Sequence, residues 1–179
     1  MYRMRACLFL LLLLALFLRS PLAAQQSEIR VTPGMVRITR PAGYIFAGTV
    51  RAIQFEPITA SGQIPTVRVT FQVDEAIRGT RTGTSFTIRE WAGLWNAGER
   101  YQRGQRVVLF LYPMSKLGLT SPVGASLGRF SVDQSGHVVM HNEQTGMIRS
   151  FQPRTPILRG RIHLRDFTRA VRRGLREED

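Results

Sequence analysis

The chain has 179 residues, 44 % of them hydrophobic, and its 25 basic against 12 acidic side chains give a formal charge of +13. That length suits one domain of ordinary size, and a single cysteine, Cys7, excludes an intrachain disulfide scaffold. Lys116 is the only lysine beside 24 arginines, a skew that coding bias yields as readily as a phosphate-binding role.

The first 24 residues predict a secretory signal peptide. Arg3 and Arg5 precede the apolar run Ala6 to Leu18, Arg19 ends that run, and Pro21-Leu22-Ala23-Ala24 leads to a cleavage site. The run is too short to span a hydrocarbon core, which needs about 20 residues. Cleavage would make Gln25 the N-terminus and discard Cys7, too early in the chain to carry a lipid. Loss of Arg3, Arg5 and Arg19 would lower the charge to +10 over 155 residues. The expected product is secreted or periplasmic, free of disulfides and of any transmembrane segment.

Residues 25–43 are expected to form a leading strand over Glu28 to Ile38 and a turn, with Ile29 and Val31 alternating against Arg30 and Thr32 before Pro33-Gly34. Residues 44–179 then make one domain. Tyr44 to Phe55 reads as a strand in which Gly48 marks a bulge or bend. Thr66 to Asp74 alternates strictly, Val67, Val69, Phe71 and Val73 against Arg68, Thr70 and Gln72, so one face is core and the other wet. Ser85 to Trp91 is its antiparallel partner, with Phe86 and Ile88 inward. Gln105 to Tyr112 is apolar on both faces from Val107 onward, as a central strand must be.

A Pro/Gly-rich loop, Pro113 to Gly128, follows. Arg129 to Val132 and His137 to His141 flank Asp133-Gln134-Ser135-Gly136, whose last residue suits a tight hairpin turn. From Leu164 the period changes: Leu164, Phe167, Val171 and Leu175 define an amphipathic helix of about three turns, with Gly174 able to end it early. These elements predict a mainly β protein, a small antiparallel barrel of the oligonucleotide/oligosaccharide-binding (OB) type, closed or partly open, with a C-terminal amphipathic helix.

Catalytic and metal patterns are poor. Gly124-Ala125-Ser126-Leu127-Gly128 matches the G-x-S-x-G nucleophile pattern, and Asp133 and His137 follow it, but a serine hydrolase using Ser126 would need a strand before the serine and a helix after it. His137 and His141, four apart on a strand, are separated by about 13 Å and cannot share one ion, and His163 is remote. Asp74 and Glu75 point to opposite faces, and Glu90 and Glu99 read as surface carboxylates. No catalytic residue, metal or cofactor is expected.

Two surfaces offer binding chemistry. Trp91 and Trp95, bracketing Leu94, form either an exposed platform or a buried barrel cap, and the loop adds Met114, Leu117, Leu119 and Val123 as a ligand or partner surface. Arg165, Arg169, Arg172, Arg173 and Arg176 on the helix, preceded by Arg154, Arg159 and Arg161 and opposed by Asp166 alone, would suit a polyanion or an anionic envelope surface. Nucleic acid is disfavoured, because secretion removes it from reach and Arg68, Thr70 and Gln72 bring no stacking aromatic trio.

Phe46-x-Gly48-x-Val50, Thr70-Phe71-Gln72-Val73 before Arg78-Gly79, and Tyr101-x-x-Gly104-x-x-Val107-Val108-Leu109-Phe110 resemble the tissue-inhibitor-of-metalloproteinases and netrin-like module. Leu111-Tyr112-Pro113 with Gly118 to Gly124 and Gly128-Arg129-Phe130 is similar to secreted bacterial proteins of unknown function, over about Phe46 to Val171. The resemblance implies an OB-type barrel with flanking helices. Animal inhibitors of that family chelate the protease zinc through an N-terminal cysteine, whereas Gln25 would stand there in this chain. The reading is therefore a non-enzymatic secreted or periplasmic binding domain whose partner is a protein or envelope component. The alternatives are a protease inhibitor that does not chelate zinc and a basic polyanion binder.

Overall fold

A computed structural model of the chain describes residues 29–58, 64–97, 100–144, 146–150 and 160–178. The expected signal peptide and Gln25 lie outside the described residues, as do Glu28, Glu99, Arg154 and Arg159. Strands β1 (Ile29–Val31), β2 (Tyr44–Glu56), β3 (Thr66–Arg78), β4 (Ser85–Trp91), β5 (Arg106–Leu111), β6 (Arg129–Val132), β7 (His137–Val139), β8 (Ile148–Ser150) and β9 (Arg161–His163) alternate with helices α1 (Pro33–Thr39), α2 (Ala92–Ala97) and α3 (Leu164–Glu178). Among the described residues no helix is long and apolar enough to cross a membrane.

The main sheet has seven antiparallel strands in the order β4-β3-β2-β5-β6-β7-β9, and β1 pairs with β8 in a separate ribbon. The sheet is not closed: β6, β7 and β9 extend it beyond β5 instead of returning to β4. Strand β5 lies at its middle, as its two apolar faces require. Val108 and Phe110 enter one core cluster, and Val107, Leu109 and Leu111 the other. The register of β2 against β3 slips between Ala47 and Gly48, the bulge expected there. A Cβ on Gly48 would meet the Gln72 carbonyl oxygen at 2.8 Å, so only glycine fits.

The first cluster packs Met35 and Ile38 of α1 and Phe167, Val171 and Leu175 of α3 against Ile45, Phe110, Phe130 and Val138. Phe167 sits edge-on to Phe110 and tilted against Phe130, with centroids 6.4 and 5.1 Å away. The second cluster fills the opposite face of β4-β3-β2-β5 with Phe46, Val67, Val69, Phe71 and Ile88, together with Trp95 and Tyr101.

Two expectations are corrected here. The leading strand spans only Ile29–Val31, because Pro33 and Gly34 open a helix instead of a turn. Proline at the first helical turn forfeits a hydrogen bond that has no partner there anyway. Met35 and Ile38, three apart, then reach the core together, and the Thr39 hydroxyl bonds back to the Met35 carbonyl. Helix α3 runs 15 residues and passes through Gly174, longer than expected, because Leu175 beyond it is buried and anchors the last turn. The Asp133 to Gly136 hairpin forms as read, with Gly136 at φ +77° and its amide on the Asp133 carbonyl.

Candidate functional site

The loop Pro113 to Gly128 is neither free nor wholly a cover. Its second half forms a strap between β4 and β5. The Thr120 amide donates to the Arg89 carbonyl of β4 at 2.9 Å, and the Val123 amide to the Phe110 carbonyl of β5 at 2.8 Å. Tyr112 and Ser121 are joined by a backbone bond, and the Thr120 hydroxyl donates to the Tyr112 carbonyl at 2.6 Å. The strap turns at Gly124 and Ala125, both left-handed with φ of +61° and +57°, into a 3-10 turn over Ala125–Gly128. A left-handed alanine costs about 1–2 kcal/mol, strain that the packed strap holds at this point.

Between the strap, α2 and the second 3-10 turn, Asn142–Gln144, lies a cleft of about 970 Å³. Its inner wall is built around Glu90. The alternation of β4 that sends Ile88 inward also sends Glu90 inward, where it is 4 % exposed. Helix α2 begins two residues later and carries Trp95 back over it, so that the indole Nε1 donates to Glu90 Oε2 at 2.9 Å. The Tyr101 hydroxyl donates to Glu90 Oε1 at 3.3 Å. The guanidinium of Arg129, at the start of β6, lies 4.0 Å from the Tyr101 ring centroid and donates to the Arg100 carbonyl.

Burial pushes the Glu90 carboxyl above its ordinary range, against the hydrogen bonds from Trp95 and Tyr101 and the charge of Arg129. Burial and the neighbouring Glu90 charge push the Tyr101 phenol well up. The outer rim adds Leu94, Tyr112, Pro122 and Met140 as apolar surface and Ser126, His141 and Glu143 as polar groups. Gln144, 1 % exposed, ties the two 3-10 turns together by donating to the carbonyls of Ser126, Leu127 and Arg129. A smaller cavity of about 530 Å³ lies beside α1, and Tyr112, Gly124 and Glu143 line both.

The predicted binding surface is divided by this arrangement. Trp95 is buried and lines the cleft, whereas Trp91 is exposed. Met114 and Leu117 are exposed at the loop tip, Leu119 is half-buried, and Val123 belongs to the core, so it offers no surface. Ser126 lines the cleft, but its Oγ donates to Glu143 Oε2 at 2.7 Å, a carboxylate and not a histidine, and β6 follows it where a nucleophile elbow needs a helix.

Among the helix arginines, Arg172 is bound to Glu75 at 2.7 Å and to the Ala76 carbonyl at 2.7 Å, fastening α3 to β3. Arg169 pairs with Asp166 at 3.2 Å; Arg165 and Arg176 are exposed and Arg173 is half-buried. His137 faces His163 across β7 and β9, ring centroids 5.5 Å apart, and not His141. Among the described residues no three His, Cys, Asp or Glu side chains gather to hold a metal ion.

Glu90 corrects the surface-carboxylate reading, and its signal was present in the sequence: two residues beyond Ile88, it shares the inward face. Arg129 carries no comparable local sign, since its burial depends on Tyr101, far away in the chain. Neither a known protein family nor a curated protein matches the chain.

Proposed function

We propose that the protein is a non-enzymatic binding domain that works outside the cytoplasm and takes a small organic ligand in the cleft under the strap. The observation that carries this reading is the cleft itself. Its volume falls in the range of ligand sites, and its walls combine Trp95, Tyr101, Tyr112, Leu94 and Met140 with a few placed polar groups. Glu90 accepts from Trp95 on one carboxylate oxygen and from Tyr101 on the other, which shapes the wall.

The arginine-flanked apolar run at residues 6–18 supports the extracytoplasmic compartment. The four strands β4-β3-β2-β5, with the strap bonded to both Arg89 and Phe110, support a partly open barrel of OB type and the likeness to the inhibitor and netrin-like module. A glutamine at the processed N-terminus keeps zinc chelation out of that likeness.

The test is native mass spectrometry of the protein recovered from its producing cells, alongside Asn142→Trp, which fills the exposed rim. A bound small molecule present in the natural protein and lost from the variant, with circular dichroism unchanged, is expected. A ligand kept by Asn142→Trp, or none in either protein, refutes the cleft. An N-terminus elsewhere than Gln25 refutes the processing.

A further inference from the structure

One end of the sheet carries exposed apolar side chains that neither core absorbs. Phe55 is 63 % exposed, Ile58 56 %, Trp91 49 %, Ile64 46 % and Leu94 42 %. Strand register gathers them: Phe55 pairs with Val67, Glu56 with Thr66, and Thr66 with Trp91. Ile58 and Ile64 lie two residues past Glu56 and two before Thr66, and Leu94 sits in α2 just beyond Trp91.

These side chains occupy both faces of the sheet end. Phe55 meets Trp95 on the face of Val67 and Glu90, with ring centroids 5.6 Å apart. Trp91, one residue from inward Glu90, takes the opposite face, its indole against Gly93. A folded partner would cover one face; apolar side chains on both faces of the sheet end suit a medium that surrounds it. The charge at its base is basic. Arg68 and Arg89 share the single carboxylate of Glu56, and Arg100 donates to the Trp95 carbonyl close by. The other described acid of this end, Glu90, is buried.

We propose that this end of the sheet, through its exposed apolar side chains, docks on an anionic phospholipid surface. Phe55, Ile58, Ile64, Trp91 and Leu94 enter the interface end-on, while Arg68, Arg89 and Arg100 face the lipid phosphates. Aromatic rings favour the headgroup level, and arginine keeps its head in the polar layer while its stem covers apolar surface. Binding of this kind adds buried apolar area to attraction for anionic lipid. It uses other residues than the cleft, apart from Leu94 at their border.

The test mixes the full chain with vesicles of phosphatidylglycerol and acyl-brominated phosphatidylcholine and reads tryptophan quenching. The chain has two tryptophans, Trp91 and Trp95, so the signal reports this end even if residues 1–24 also touch lipid. Quenching is expected for the natural chain, weaker on phosphatidylcholine alone, and strongly reduced in Trp91→Phe because Trp95 is buried. Ile58→Ser combined with Ile64→Ser, both exposed, should raise the lipid needed for half-maximal quenching by about tenfold or more. No quenching, quenching undiminished in Trp91→Phe, an unchanged response in the double serine variant, or equal response without anionic lipid each overturns the proposal.

Discussion

Replacing Gly128 by alanine adds one methyl group where the backbone leaves no room. Its Cβ would stand 2.5 Å from the Val123 oxygen, 2.7 Å from the Val123 nitrogen and 2.8 Å from the Phe110 oxygen, against an ordinary contact of 3.4 Å or more. All three are backbone atoms of the strap and of β5, so no side chain can rotate away. The strap must retreat by close to 0.9 Å, which breaks the bond between the Val123 amide and the Phe110 carbonyl. Overpacking costs about 1–3 kcal/mol and a buried backbone group left unpaired about 1–3 kcal/mol more, so a loss of about 3 kcal/mol is expected. For a chain of this size that lowers Tm by about 6–12 °C. Urea unfolding and hydrogen exchange at Thr120 and Val123 measure it, and Gly34→Ala is the control. There the added Cβ meets Thr32 Oγ1 at a comfortable 3.5 Å inside α1, so the same methyl should stabilise by about 0.5 kcal/mol. A cost below about 1 kcal/mol for Gly128→Ala, with both strap amides still protected, refutes the account of how the cleft is held.

Phe167→Ala should cost about 3–5 kcal/mol in urea unfolding, because the ring is fully buried between Phe110 and Phe130; a cost under about 1.5 kcal/mol would mean that α3 is not seated there. Glu90 and Glu56 should give opposite pH slopes. The raised Glu90 carboxyl favours the fold most below the ordinary carboxylate range, and that contribution is lost as pH rises through the folded value. Glu90→Gln should therefore gain stability relative to the natural protein as pH increases. Glu56 is lowered, chiefly by the Thr66 hydroxyl and then by Arg89 and Arg68, so its contribution exists above the ordinary value and disappears as pH falls through the folded one. The deficit of Glu56→Gln should shrink on acidification, and parallel thermal unfolding curves across pH for the two variants would contradict both signs. Arg172→Ala should lose about 1 kcal/mol by releasing Glu75 and the Ala76 carbonyl, while exposed Arg165→Ala should be near neutral; equal losses would mean that the ion pair to β3 contributes nothing of its own.

The elements legible in the sequence are those written in short periods. Strict alternation marked β3 and β4, unbroken apolarity marked β5 as central, Gly48 marked a bulge where no side chain fits, and Gly136 marked a turn by a conformation other residues resist. Helix α1 was missed because seven residues are too few to stand alone; it exists through Met35 and Ile38 against α3 and the sheet. Trp91 and Trp95, four apart, looked alike in sequence, yet a strand ends and a helix begins between them, so one is exposed and the other buried.

The sequence by itself determined which residues alternate, where the chain turns, and that the protein is mainly β with a C-terminal amphipathic helix. Tertiary structure alone decided the strand order, the open sheet, the strap and which side chains, Trp95, Tyr101 and Arg129, close around Glu90. Periodicity is a local property, felt over two to four residues. The cleft depends on contacts between positions such as 89 and 120, 90 and 101, and 126 and 143, which only the folded chain brings within hydrogen-bond reach.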